Sequence, residues 1–245
     1  MLNSSQNIAE QTFAQDNSGF HTLEYLIFLN GNPRDISSIS SRQKEYIYYV
    51  TKKLLDDTVR LWAEWHGEKA ISDQRDAELI ENDEITIAGG EDGFAELLRN
   101  PNMYQKYKTQ NQVLEEIIDN GLCNIANEVG TQKIGNPYRE QDVYAVESWY
   151  SFNSLDDYEN NIISIENSYL GGPAATRKSE TSMSAYVASK NSDLDAEITK
   201  AISDARKAIR DIPAPFRDQV TKGKVATIDT AMDKLAELNK SLKKI

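Results

Sequence analysis

Apolar residues recur along most of the chain at spacings of three and four, the period of one helix face. The clearest stripes lie in residues Asp193–Ile212 and Val225–Leu242, on either side of a break at Pro213 and Pro215. Proline removes a backbone donor and restricts the residue before it, so this break predicts an αα-hairpin. No convincing alternating run of strand type occurs. The sequence therefore predicts an all-α fold.

Three further helices are predicted in the earlier part of the chain, at Arg42–Trp65, Thr109–Glu128 and Ser154–Tyr169. Ser40 or Ser41 can cap the first of them. The apolar stripe of the first helix is Ile47, Val50, Leu54, Leu61, Trp62 and Trp65, and that of the third is Leu155, Tyr158, Ile162, Ile165 and Tyr169. Gly135 to Pro137 is expected to end the segment that follows the second. These helices predict two antiparallel bundle regions that meet near residues 101–108, and hence two domains, 1–107 and 108–245.

The segment from Phe20 to Leu29 is apolar on nearly every side, a pattern typical of a buried helix. Gly31 and Pro33 are expected to end it. Its first turns carry His21 and Glu24, an i, i+3 pair on one face. Two interpretations remain open: a core histidine paired with a carboxylate, or two ligands for a divalent metal. The chain's other histidine, His66, follows a predicted helix, where it is expected to act as a C-terminal cap.

The net charge of −12 disfavours nucleic acid or an anionic membrane surface as a partner. The charge is uneven, because residues 1–199 carry −17 and residues 200–245 carry +5. Cys123 is the only cysteine, so internal disulfides and cysteine-based zinc sites are excluded. We expect it to be an inert core thiol. No apolar run approaches the ~20 residues of a membrane span, and residues 1–17 lack signal-peptide features.

Three stretches resemble the imelysin-like family, also called insulin-cleaving metalloprotease outer-membrane proteins. Gly19, His21 and Glu24 match its G-x-H-x-x-E signature. The segments from Glu147 to Gly171 and from Ile212 to Phe216 are similar to two further family stretches, in the same order.

The resemblance implies two helical bundle-like halves, export to the periplasm or the outer membrane, and an association with iron uptake. Family members usually carry a longer segment before the signature than the eighteen residues found here. We therefore expect the first bundle to be incomplete. Apolar surface around Tyr25, Ile47 and Trp62 would then be exposed or covered by another copy in a homo-oligomer.

A polar cluster precedes the helix predicted at Ser154. Capping and turn chemistry explains Ser154, with Asp157 three residues later, and also Asn153, but it explains Glu147 and Ser151 less well. We expect this cluster to converge with His21 and Glu24 at the junction of the two halves. Glu147 would then be a third metal ligand, and Ser151, Asn153 and Ser154 would lie behind the ligands or bind substrate.

The ligand set decides between functions. A catalytic zinc needs three protein ligands and a base, and the helical H-E-x-x-H arrangement is absent from the sequence. We therefore expect a binding protein, for iron, zinc or a small iron-containing ligand, rather than an enzyme. A zinc metallopeptidase using His21 and Glu24 is the alternative, and a structural protein without a ligand is the third interpretation.

Overall fold

The computed structural model describes Ile8 and residues 18–72, 77–78, 91–101 and 107–245 of the chain. Residues 102–106, within the predicted meeting point of the two halves, lie outside this set. The described residues are mostly helical, and their only sheet is a two-stranded hairpin, so the all-α prediction is confirmed. None of the described helices has the length and apolar character needed to cross a bilayer. The chain divides into two compact units, Met1–Val113 and Leu114–Ile245.

The first unit contains the helices α1, α2 and α3 and a short hairpin. Helix α2 packs against both α1 and α3. The side chains of Trp65 and Phe94 meet where α2 contacts α3, with ring centroids 6.0 Å apart. In chain order the elements are α1 Phe20–Ile27, β1 Phe28–Leu29, β2 Asn32–Pro33, a 3₁₀ turn Ile36–Ser38, α2 Ser41–His66, a 3₁₀ turn Glu68–Ala70 and α3 Gly93–Arg99.

The prediction of one buried helix from Phe20 to Leu29 was wrong in two respects. Helix α1 ends at Ile27, and Phe28–Leu29 pairs as a strand with Asn32–Pro33. Asn30 and Gly31 both have positive φ, as a tight two-residue hairpin requires. The helix is also largely exposed: only Glu24 and Leu26 are buried, while Phe20 is 73% exposed.

Helix α2 begins with the predicted cap but does not bury its predicted stripe. Ser40 accepts a hydrogen bond from the Gln43 amide, and the Gln43 side chain accepts one from the Ser40 amide, which completes a capping box. Of the stripe, Val50 is fully buried and Ile47 is half-buried, but Trp62 is 43% exposed. Exposure at Tyr25 and Trp62 agrees with the expectation of apolar surface on the first unit.

The second unit has a continuous core of aliphatic and aromatic side chains that runs from Leu122 to Leu242. Helix α9 lies centrally and packs against α7, α8 and α11. Helix α4, Gln110–Glu115, spans the boundary at Val113 and leads into this unit. It is followed by α5 Asn124–Glu128 and α6 Gly135–Glu140, joined by π-helical segments Glu116–Cys123 and Val129–Ile134. After a 3₁₀ turn Val143–Ala145 come α7 Ser154–Leu170, a 3₁₀ turn Ser179–Thr181, α8 Met183–Lys190, α9 Ser192–Arg210, α10 Arg217–Val220 and α11 Ala226–Leu242.

Three sequence predictions for this unit are confirmed and one is wrong. Tyr158, Ile162, Ile165 and Tyr169 form the fully buried stripe of α7, and the α9–α11 hairpin forms as predicted. Cys123 is buried, and desolvation raises the pKa of its thiol, in keeping with an inert core residue. The helix does not stop at Gly135–Pro137, because helical structure continues to Glu140.

Candidate functional site

The Gly19–Glu24 signature lies at the start of α1. Gly19, the residue before the helix, has φ 88° and ψ −174°, a conformation open almost only to glycine. The hydroxyl of Thr22 donates to the Ser18 carbonyl at 3.1 Å. At the other end of α1, the Arg34 guanidinium donates to the Leu26 carbonyl at 2.9 Å. The hairpin therefore returns the chain to the end of the helix that carries the signature.

His21 and Glu24 contact each other, as their spacing predicts. Nδ1 of His21 lies 3.1 Å from Oε2 of Glu24. The His21 side chain is 64% exposed, whereas that of Glu24 is only 10% exposed. The imidazole is therefore not a core residue. The imidazole lies at the surface and contacts a nearly buried carboxylate. The core-histidine interpretation is therefore wrong about the burial of His21, although the pairing with Glu24 is present.

This pair fits a metal in two ways. Two ligands of a tetrahedral zinc, each at ~2.1 Å, lie about 3.4 Å apart, close to the separation of these two atoms. Alternatively, Glu24 accepts the Nδ1 proton and leaves the Nε2 lone pair of His21 for the metal, the usual arrangement around a ligating histidine. In either arrangement the pair would provide one or two of a metal's ligands. Among the described residues, no three His, Cys, Asp or Glu side chains come together as a metal-binding group.

His66 lies at the last position of α2 and behaves as the cap that was predicted. Its Nδ1 is 3.0 Å from the Trp62 carbonyl, and its ring stacks on the Trp62 indole with centroids 4.5 Å apart. The side chain is exposed. This local arrangement accounts for His66 without a ligand.

The polar cluster around Glu147 lies in the second unit, where several of its groups bond one another. The Glu147 carboxylate pairs with Lys133, with Nζ 3.0 Å from Oε2. Ser154 was expected to cap α7, but its hydroxyl instead donates to the Glu147 carbonyl. Asn153 occupies the cap position without a side-chain cap bond, and its amide donates to Asp157 at 3.0 Å.

The interpretation of Ser154 and Asp157 as a capping box was therefore wrong. Asp157 also accepts a hydrogen bond from the Ser148 hydroxyl. Ser151 is half-buried in the turn before α7. Glu147 would have to leave Lys133 to bind a metal. The cluster is accordingly a hydrogen-bonded turn that holds the start of α7, and local structure now explains most of its members.

An aromatic–cation stack beside this turn was missed by the sequence reasoning. The Arg217 guanidinium lies over the Trp149 ring, 3.7 Å from its centroid, and also over Phe152 at 4.7 Å. Arg217 donates to the Trp149 carbonyl as well, at 3.3 Å. Trp149 stacks in turn on Tyr144, which is 81% exposed. The available signal was the position of Arg217, directly after the family-like segment Ile212–Phe216.

A scan against protein-family models matches residues 2–242 to the Imelysin family, Peptidase_M75. The chain is 27% identical over 232 residues to iron-regulated protein A of Synechococcus elongatus, covering 92% of this chain and 56% of that protein. It is also similar to the crystal structure of an iron-regulated protein A precursor from Parabacteroides distasonis. That match has a TM-score of 0.76, 32% identity, and coverage of 92% of this chain and 62% of that one.

A second solved structure, of an imelysin peptidase from Bacteroides ovatus, is 41% identical with a TM-score of 0.58. It matches 68% of this chain and 47% of that one. The chain thus spans about half to three fifths of the length of the relatives it matches.

Proposed function

The chain belongs to the imelysin family, and we propose that it is an iron-related binding protein whose ligand contacts His21 and Glu24. The observation that carries the proposal is the exposed His21 imidazole held by a nearly buried Glu24 carboxylate. The names of two relatives, both iron-regulated protein A, support the link to iron. Ferrous iron or zinc suits an imidazole and carboxylate donor set.

A metal titration tests this proposal. Metal-free protein without a histidine tag is titrated with Fe²⁺ under anaerobic conditions, and separately with Zn²⁺. The variant Glu24→Gln keeps an acceptor for His21 but loses the charge, and we expect about 10–100-fold weaker binding. His66→Ala is the matched control, because it removes the other exposed imidazole. Unchanged binding in a His21→Ala/Glu24→Ala double variant would contradict the proposal.

Glu147 is proposed as a third ligand, with Ser151, Asn153 and Ser154 behind it or against a substrate. Glu147 is already paired with Lys133, so metal binding would have to break that pair. We therefore compare Glu147→Gln with Lys133→Gln, which frees the same carboxylate. If Glu147 is a ligand, the first variant weakens metal binding and the second strengthens it. Equal affinities in both variants would remove Glu147 from the site.

A zinc metallopeptidase is the second candidate, favoured by the peptidase name of the Bacteroides ovatus relative. It requires a third ligand and a base in addition to His21 and Glu24. Hydrolysis of a peptide substrate that stops with chelator, returns with zinc and disappears in His21→Ala would establish it. A structural protein without a ligand would show neither metal binding nor hydrolysis.

The location of the protein is also proposed from the family. We infer that the protein is located in the periplasm or at the outer membrane, the locations that the family resemblance implies. Fractionation of cells that express the full-length gene tests this, with a cytoplasmic enzyme as the marker. Recovery in the cytoplasmic fraction would overturn it.

A further inference from the structure

A groove in the second unit lies between α11 and the helical segment that carries α5 and α6. Its volume is about 470 Å³, within the range of small-molecule sites. One side is formed by residues 232–243, in α11 and just after its end, and the other by the second π-helical segment and the residues that flank it. Its lining includes Gly130, Arg139, Asp233, Asn239, Lys240 and Lys243.

The shape of the groove depends on the π-helical segment and on Gly130. A π-helical turn is rare and is often found at functional sites. A Cβ on Gly130 would lie 3.1 Å from the Cβ of Leu235, so the two helices approach closely along one edge. The Arg139 side chain folds back over Gly135, and its Nη1 lies 3.4 Å from the Thr131 carbonyl. Arg139 is thereby held at the wall of the groove.

The groove is positively charged in a chain with a net charge of −12. Three cationic side chains line it, Arg139, Lys240 and Lys243, against one carboxylate, Asp233. Within the described part of the chain, neither Lys240 nor Lys243 forms an ion pair. Glu197, whose charge Lys240 also feels, is bonded to Lys244 and Ser241 instead. The two lysines are therefore available to an anion.

Asn239 supplies a second, independent feature. Its Oδ1 atom is buried and has no hydrogen-bond partner. A buried acceptor without a donor is destabilising, and such groups in folded proteins call for an explanation. Asn239 lines the groove, so rotation of its side chain toward a bound ligand would give Oδ1 a hydroxyl or N–H donor that it lacks in the empty protein. The lysines and Asn239 together therefore favour a molecule that carries both an acidic group and a hydrogen-bond donor.

We propose that this groove binds a small hydroxycarboxylate, with its carboxylates on Lys240, Lys243 and Arg139 and its hydroxyl donating to Asn239. The site does not involve His21, Glu24 or the Glu147 cluster, so it is separate from the proposed metal site. A hydroxycarboxylate is itself a chelator of iron, and the groove thus extends the iron-related function to an organic anion.

Calorimetric titration of the EDTA-treated full chain with citrate tests the site. Tricarballylate is the matched ligand, because it lacks only the citrate hydroxyl, and we expect it to bind about fivefold more weakly. Lys240→Gln/Lys243→Gln should weaken citrate binding about tenfold or more. Lys178→Gln/Lys224→Gln makes the same charge change at exposed residues outside the groove and should leave the affinity unchanged. The His21→Ala variant should also bind citrate normally, which separates this test from that of the metal site.

Asn239→Leu is a second test variant. A merely structural role of Asn239 would not explain its expected effect on ligand preference. It should abolish the preference for citrate over tricarballylate. Because the unpaired Oδ1 contributes no hydrogen bond to the empty protein, the variant should unfold at the same temperature as wild type or above it. The proposal is overturned if citrate shows no saturable binding. Equal affinity in the two lysine double variants, or an unchanged citrate preference in Asn239→Leu, also overturns it.

Discussion

Pro137 lies inside the helix that ends at Glu140, although proline usually breaks a helix. A side chain from a distant part of the chain makes this position possible. Pro137 has no N–H, so it cannot donate to the carbonyl four residues earlier, that of Lys133. The hydroxyl of Tyr158, from α7, donates to this carbonyl at 3.0 Å. Burial, with the nearby charges of Glu147 and Asp157, holds the pKa of Tyr158 well above its usual range. The phenol therefore stays protonated and remains a donor.

Tyr158→Phe removes this donor and leaves the ring in place. We expect it to lower the free energy of unfolding by about 1–2 kcal/mol, the cost of a buried carbonyl without a partner. Urea denaturation of the second unit, followed by circular dichroism, measures the effect. Tyr144→Phe removes a hydroxyl from an exposed ring and should change the free energy by less than ~0.5 kcal/mol. Equal effects in the two variants would contradict the role assigned to Tyr158.

A partly buried ion network joins α7 to α9. Arg206 bonds both Glu159 and Glu166, and Arg177 also donates to Glu166 at 3.1 Å. Desolvation acts to raise the pKa of Glu166, but the hydrogen bonds from Arg177 and Arg206 outweigh it, so the pKa is lowered. A carboxyl group whose pKa is lower in the folded state stabilises the protein above its unfolded pKa.

Because the pKa of Glu166 is lower in the folded state, its stabilising contribution is present at pH 7 and is lost in acid. At pH 7, Glu166→Gln should lower the free energy of unfolding by about 1–2 kcal/mol, because both arginines lose a charged partner. The difference from wild type should shrink as the pH falls below the ordinary glutamate value of ~4.3, where the native carboxylate also becomes protonated. Asp204→Asn, in an exposed pair with Lys200, is the control. A difference that grows in acid would show that the pKa of Glu166 is raised instead.

At the scale of one element, the capping box fixes where α2 begins. The Ser40 hydroxyl and the Gln43 side chain each satisfy an amide of the other residue. The first four amides of a helix lack internal partners, so these bonds replace what the helix cannot supply. Ser41, the next residue, is the first of the helix itself and takes no part in the box.

Ser40→Ala should therefore destabilise the first unit by about 1 kcal/mol, whereas Ser41→Ala should have little effect or stabilise it slightly. Fluorescence of Trp62 and Trp65 follows the unfolding of α2. Both variants are made in a Trp149→Phe background, because the remaining tryptophans then report on the first unit alone. Equal stability of the two serine variants would show that the box does not contribute in solution.

At the scale of the whole molecule, the two compact units differ in how their apolar side chains are covered. The second unit encloses a continuous core that contains Tyr158, Phe216 and Leu235, all fully buried. In the first unit, several large apolar side chains of α2 remain exposed, among them Tyr48, Leu55, Leu61 and Trp65. Self-association through such a surface stays a prediction, which light scattering across a concentration series can check.

The second unit should fold by itself. We expect a fragment of residues 110–245 to show a cooperative thermal transition and a near-ultraviolet circular dichroism signal from Trp149, because the described side chains of its core all come from residues 118–242. Ile162→Asp, which places a charge at a fully buried position, should abolish both. A fragment that is helical but has no near-ultraviolet signal would show that the rest of the chain is required.

The sequence by itself determined the helical class and most helix positions, because the period of apolar residues and the chemistry of caps act within a few residues. The stripe of α7, the cap of α2 and the α9–α11 hairpin were all predicted in this way. It also marked the His21–Glu24 pair, whose contact follows from i, i+3 spacing alone. It failed at Asn30–Gly31, where a strong hairpin signal was interpreted only as the end of a helix.

Tertiary structure decided what depends on groups distant in the chain. Whether an apolar stripe is buried depends on the surface that faces it, so Phe20 and Trp62 are exposed despite their pattern. Pro137 lies within a helix because the Tyr158 hydroxyl satisfies the carbonyl that it leaves free. The groove beside α11 arises in the same way, since helix packing alone brings Arg139 to the lysines and leaves Asn239 without a donor. Sequence rules that act over a few residues cannot identify these partners, because packing across the unit brings them together.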